Sequence, residues 1–137
     1  MRRVTVEWLH LDVDGATCSR CGSTGVEVAA AVEGLRRECA PAGVEVRLVE
    51  TRLDRADIAR SNLVLVNGVP VEELVPGAGA STSACGSCGE FTGREESCRT
   101  VVQFGAVHET VPRELVREAV CRVAECCPPA GDDRTVA

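Results

Sequence analysis

The sequence contains no lysine and no tyrosine, a single methionine, and only three large aromatic residues, Trp8, Phe91 and Phe104. So few aromatic rings leave no stacking platform of the kind single-strand nucleic-acid binders use. Basic charge is short as well. Fifteen arginines face 21 acidic residues for a net charge of −6, and both halves of the chain share the deficit, so a phosphate-tracking surface is not expected. No apolar run approaches the roughly 18 residues of a spanning helix, and no membrane partner is expected. The start, Met1-Arg2-Arg3-Val4-Thr5-Val6-Glu7, lacks the apolar core of a signal peptide, and a cytoplasmic location follows as the expectation. What the chain does have is cysteine: nine in 137 residues. An odd number of thiols in a chain without an export signal points to metal binding or thiol redox chemistry rather than to a disulfide framework.

Hydrophobic patterning predicts a mixed α/β domain. Residues 3–11 alternate as a central strand and lead into a loop holding Cys18-Ser19-Arg20-Cys21. Thr24 with Glu27 fits a capping box, so a helix is expected from there to about Ala40, with Val28, Val32, Leu35 and Cys39 as its buried stripe. Val44–Glu50 alternates as a second strand. Asp54–Arg60 is long enough for about two helical turns. Asn62–Val66 is a buried strand closed by Asn67-Gly68, and Val69–Val75 pairs back or starts a short helix. The 23 residues 76–98 hold five Gly, four Ser and three Cys but no Val, Leu or Ile, and read as a cysteine-rich loop insertion. A hairpin about Gly105-Ala106 and a helix from Pro112 to Val123 complete the order, the hairpin adding an antiparallel edge to the sheet. Residues 1–127 thus form one domain, and 128–137 read as a disordered tail.

A CxxC after the first strand, followed by a helix and a βαβ pattern, resembles the thioredoxin fold. More closely, the span from Val4 to about Val123 resembles an uncharacterised cysteine-rich, thioredoxin-like family of bacteria and archaea whose function is unknown. The residues that carry the resemblance are Val6-Glu7-Trp8, Cys18-Ser19-Arg20-Cys21 with Thr24-Gly25, Val66 to Leu74, Cys85-Gly86-Ser87-Cys88 and Cys98-Arg99-Thr100. The resemblance implies a thioredoxin-like mixed sheet flanked by helices and supplies no activity. Two departures bear on mechanism: the expected helix start at Thr24 withdraws the helix dipole from the CxxC, and Ser61-Asn62 stands where thioredoxins place a cis-proline. Both weaken redox exchange relative to metal binding.

The cysteines carry the chemistry. Cys18 and Cys21 can grip one ion or close a reversible disulfide. Cys85, Cys88 and Cys98 supply a second CxxC and a third thiolate, which either fold back to complete a tetrathiolate site with Cys18 and Cys21 or form a site of their own. Cys126 and Cys127 resemble the vicinal tail thiols of mercuric reductases and are candidate capture groups. Cys39 reads as a small core residue, Cys121 carries no specific role, and His10 and His108 read as structural. The expected function is binding of a soft metal or metalloid ion of the zinc, mercury, arsenic or copper class by Cys18, Cys21, Cys85, Cys88, Cys98, Cys126 and Cys127, with zinc the first expected ion. One alternative is a thiol–disulfide oxidoreductase with Cys18 attacking and Cys21 resolving. Another is a structural zinc or iron–sulfur module. Expected partners are the ion itself and a redox or metal-transfer protein. Oligomeric state is not specified.

Overall fold

The central strand β1 (Arg2–Leu11) pairs in parallel with β2 (Val44–Leu53) over its whole length, from Arg2↔Val44 to Leu11↔Leu53. The computed structural model describes residues 2–12, 19–84, 97–103 and 105–127, by backbone alone at 19–21, 55, 58, 59, 82–84 and 97–99. On the other side of β1, β3 (Leu63–Val66) runs antiparallel with Leu9 opposite Leu63, and the short β4 (Val69–Pro70) closes the order β2-β1-β3-β4. The β3–β4 turn is Asn67-Gly68, with φ of 50° and 84°, the left-handed pair that the Asn-Gly signal predicts. Asn67 Oδ1 also accepts the Thr5 N–H at 2.9 Å, locking the turn to the central strand.

Helix α1 (Ser19–Cys39) makes the crossover between β1 and β2. Its predicted stripe is buried: Val28, Val32, Leu35 and Cys39 pack on Val4, Val6, Val44 and Val46 of the sheet. After β4 comes a single turn, α2 (Val71–Leu74), and near the end of the described chain α3 (Arg113–Ala124) lays Leu115, Val116, Ala119 and Val120 into the same core. The two long helices run in the same direction, since Arg113 at the start of α3 pairs with Glu27 while Cys126, just past its end, meets Cys39. At Gly25 a Cβ would sit 2.5 Å from two ring carbons of Trp8, so α1 can lie on the indole only because that position has no side chain.

Several expectations are corrected. The helical turns expected over Asp54–Arg60 are a 3₁₀ segment, Arg55–Arg60, interrupted at Asp57. The cysteine-rich stretch is not loop throughout: β5 (Ala78–Ala84) and β6 (Ser97–Gln103) pair antiparallel across it, from Ala78↔Gln103 to Ala84↔Ser97. The hairpin strand β7 (Ala106–His108) joins β6, giving a separate three-stranded sheet β5-β6-β7 instead of an edge on the main one. Strand β5 escaped the sequence pattern because Ala, Gly, Ser and Thr show no hydrophobic alternation; backbone pairing with β6 selects its conformation. Among the described residues no helix is long and apolar enough to cross a membrane.

Candidate functional site

Both long helices end at one pole of the molecule, and four cysteines meet there. Helix α1 stops at Cys39, where a 3₁₀ turn, Ala40–Ala42, and Gly43 at φ 74° redirect the chain into β2. Helix α3 stops at Ala124: Glu125 adopts a left-handed conformation (φ 53°) and its N–H closes on the Cys121 carbonyl at 2.8 Å. That cap turns the chain back and carries Cys126 inward. The Arg2 guanidinium donates to the Ala124 carbonyl at 2.7 Å, fixing the start of β1 to the same turn.

Cys126 is thereby joined to Cys39 in a disulfide with the Cα atoms 5.0 Å apart, and Cys127 to Cys121 with 5.3 Å between theirs. Cys39 is fully buried and Cys126 is 8% exposed, whereas Cys121 and Cys127 are partly open to solvent. The sulfurs of Cys39, Cys126 and Cys127 all lie within 4.8 Å of one another. A tetrahedral thiolate site with metal–sulfur bonds of about 2.3 Å needs sulfurs about 3.8 Å apart. The difference is within the reach of side-chain rotation once the disulfides are open.

Electrostatics at this pole favour a cation. The C-terminal carbonyl ends of α1 and α3 carry the negative ends of their dipoles, which disfavours bare thiolates and favours either neutral disulfides or thiolates neutralised by a bound ion. Arg36 and Arg37 in the last turn of α1 and Arg122 in that of α3 are offset by their own carboxylate partners, Glu33 and Glu118.

The opposite pole is built around the start of α1, and here the capping-box expectation fails. The helix begins at Ser19, so Cys21 lies in its first turn and Cys18 immediately precedes it in the chain. Thr24 is buried inside the helix: its hydroxyl donates to Asn62 Oδ1 and accepts the Val111 N–H at 3.0 Å, while Asn62 Nδ2 donates to the Glu109 carbonyl at 2.8 Å. Glu27 accepts from the Arg113 backbone N–H at 3.1 Å and its guanidinium at 3.0 and 3.2 Å, and those bonds hold its carboxyl below the ordinary glutamate value. Tertiary partners thus claim both residues of the supposed cap. Ser61 and Asn62, in the position before β3, are both buried.

Of the predicted ligands, Cys18, Cys85 and Cys88 lie outside the described residues, and Cys21 and Cys98 are described by backbone only. Cys98 pairs with Ser83 in the β5–β6 register. Strand β6 also packs against Arg55–Arg60, which leaves the end of β2 and packs on β1. His10 is structural as expected: buried, stacked on Trp8 with ring centroids 4.0 Å apart, and bonded through Nε2 to Glu50 at 2.6 Å. Cys126 and Cys127 lie at the opposite end of α1 from Cys21. Cys21 and Cys39 are 18 positions apart along α1, an axial distance of about 27 Å.

Sequence reasoning missed Cys39 and Cys121 as members of a site. The available signal was position rather than motif: Cys39 and Cys121 sit at the C-terminal ends of two helices that cover one sheet face, beside Cys126 and Cys127.

A family model described as a domain of unknown function, DUF2703, matches residues 4–120. The chain belongs to this family. An uncharacterised protein of the archaeon Archaeoglobus fulgidus is 36% identical over 118 residues, covering 83% of this chain and 82% of the relative. No solved structure matches this DUF2703 protein.

Proposed function

We propose that this DUF2703 protein binds a soft metal or metalloid ion through cysteine thiolates. The observation that supports the reading is the convergence of the Cys39, Cys126 and Cys127 sulfurs within 4.8 Å, with Cys121 bonded to Cys127 as a fourth. Four thiolates select zinc, cuprous, mercuric or arsenite ions over hard cations, and zinc is the first expected occupant. Cys18, Cys21, Cys85, Cys88 and Cys98 are proposed as a second thiolate set, serving a metal-transfer or redox partner in a reducing cytoplasm. An iron–sulfur cluster is a rival occupant of that set.

A second reading, thiol–disulfide oxidoreduction at Cys18 and Cys21, is favoured by the start of α1 at Ser19. The positive end of a 21-residue helix favours a thiolate in its first turn. The order β2-β1-β3-β4, with a helix crossing between the parallel pair and a CxxC at its start, also supports a thioredoxin-like arrangement.

Cobalt(II) titration of the fully reduced, metal-free chain under anaerobic conditions tests the first reading. Sulfur-to-cobalt charge-transfer absorption should appear, and one equivalent of uptake should be lost when Cys39 and Cys127 become Ser. Absence of uptake, together with insulin-disulfide reduction that depends on Cys18, would replace it with the second.

A further inference from the structure

The two disulfides of the four-cysteine pole differ in a way that suggests an order of events. Cys121–Cys127 is partly exposed and spans only six positions at the end of α3; Cys39–Cys126 is buried and joins the ends of two helices across 87 positions. An external thiol can reach the outer pair directly. The inner pair has no such access, yet the Cys127 sulfur stands within 4.8 Å of both of its sulfurs.

We propose that this pole is an ordered thiol–disulfide relay, in which Cys127 carries reducing equivalents from a dithiol donor to the buried Cys39–Cys126 bond and so opens the ion site. The inference deepens the metal-binding reading and rests on it only for the final step. In the first exchange a dithiol reduces Cys121–Cys127, giving two cysteine thiols and the donor's disulfide, with two electrons and two protons transferred. The Cys127 thiolate then attacks the inner bond.

Chain geometry selects which sulfur it attacks. Adjacent residues in a trans chain have Cα atoms about 3.8 Å apart, below the roughly 4.4–6.8 Å range of disulfides, so a Cys126–Cys127 bond is disfavoured. Attack therefore falls on Cys39. The Cys127–Cys39 bond forms, the Cys39–Cys126 bond breaks, and the electron pair leaves on the Cys126 sulfur, which takes a proton from water. Cys121 then attacks Cys127, restores the outer disulfide and releases the Cys39 thiol.

The net result is an inner dithiol and an outer disulfide. A second dithiol reduces the outer pair again, so two donors deliver four electrons and leave four thiols at one pole. Bare thiolates are disfavoured between two helix C-termini, so the exchange relies on sulfurs held close together rather than on a high thiolate fraction. Once all four thiols are free, an entering cation displaces their protons and holds the pole open.

The test uses the oxidised full-length protein with no added metal. Limiting dithiothreitol is added anaerobically, samples are quenched in acid and alkylated, and each disulfide is mapped by mass spectrometry. In the wild type, Cys121 and Cys127 should be alkylated before Cys39 and Cys126. Cys127→Ser should slow opening of the inner pair about tenfold or more, because direct attack on a buried disulfide is access-limited. In Cys121→Ser, Cys127 is free from the outset, and a Cys39–Cys127 disulfide with a free Cys126 should appear without any reductant.

Inner-pair opening at the wild-type rate in Cys127→Ser, or no Cys39–Cys127 bond in Cys121→Ser, would overturn the relay. Should Cys127→Ser lose its fold, Cys121→Ser decides the question by itself. Cobalt uptake by chemically pre-reduced protein is read separately, so a failed relay and a failed ion site give different results.

Discussion

Helix α1 has thiols at both ends, and the two ends give them opposite environments. At the N-terminal end Cys21 lies in the first turn, where unpaired backbone N–H groups favour a thiolate. At the C-terminal end Cys39 shares a pole with Cys121, Cys126 and Cys127, where the carbonyl ends of α1 and α3 converge and favour a disulfide or a bound cation. The first environment favours a charged thiolate, the second a neutral disulfide or a thiolate neutralised by an ion. The same residue type therefore meets opposite helix-dipole fields according to which end of a helix it occupies.

Stability effects should separate the parts of this comparison. The largest is expected at the four-cysteine pole. Loop-closure entropy assigns about 4.5 kcal/mol to a bridge spanning 87 positions and about 2 kcal/mol to one spanning six. Replacing Cys39 and Cys126 together by Ala should lower the free energy of unfolding in non-reducing urea by about 4–5 kcal/mol, and replacing Cys121 and Cys127 by about 2 or less. Equal losses would show that the inner pair has no special structural role.

An intermediate effect is expected near the start of α1, where Thr24 makes buried polar contacts. Thr24→Val leaves Asn62 Oδ1 without that donor and the Val111 N–H without its acceptor, at a cost of about 2–4 kcal/mol in the same assay. Alkylation rates at Cys121 and Cys127 should not change, because the lesion lies at the other end of the helix.

The smallest effect belongs to the Glu27–Arg113 ion pair, which joins α1 to α3 as Glu38–Arg117 also does. Hydrogen bonds from Arg113 depress the Glu27 carboxyl, so the pair stabilises the fold at neutral pH. That contribution is lost as pH falls from the ordinary glutamate range through the depressed value. Glu27→Gln should unfold slightly more easily than the wild type at pH 7, and the difference should vanish in acid. A pH-independent difference would mean that the contact matters for shape rather than charge.

Periodicity made much of this fold legible. The buried stripe Val28, Val32, Leu35, Cys39, the parallel crossover and the Asn67-Gly68 turn all follow from local pattern. Strand β5 was not legible, because its small and polar residues encode no face and it exists through pairing with β6. The start of α1 was misread because Thr24 and Glu27 spend their hydrogen bonds on Asn62, Val111 and Arg113, partners 35 or more positions away. The CxxC was visible as a motif. The four-thiol pole was not, because Cys39 meets Cys126 only once two helices are laid side by side on one sheet.

The difference between the poles can be measured directly by the rate at which iodoacetamide labels each cysteine of the fully reduced, ion-free chain at pH 7. The account predicts that Cys21, in the first turn of α1, reacts about tenfold faster than the partly exposed Cys121 and Cys127 at the helix C-termini. Equal rates, or faster labelling of Cys121 and Cys127, would contradict it.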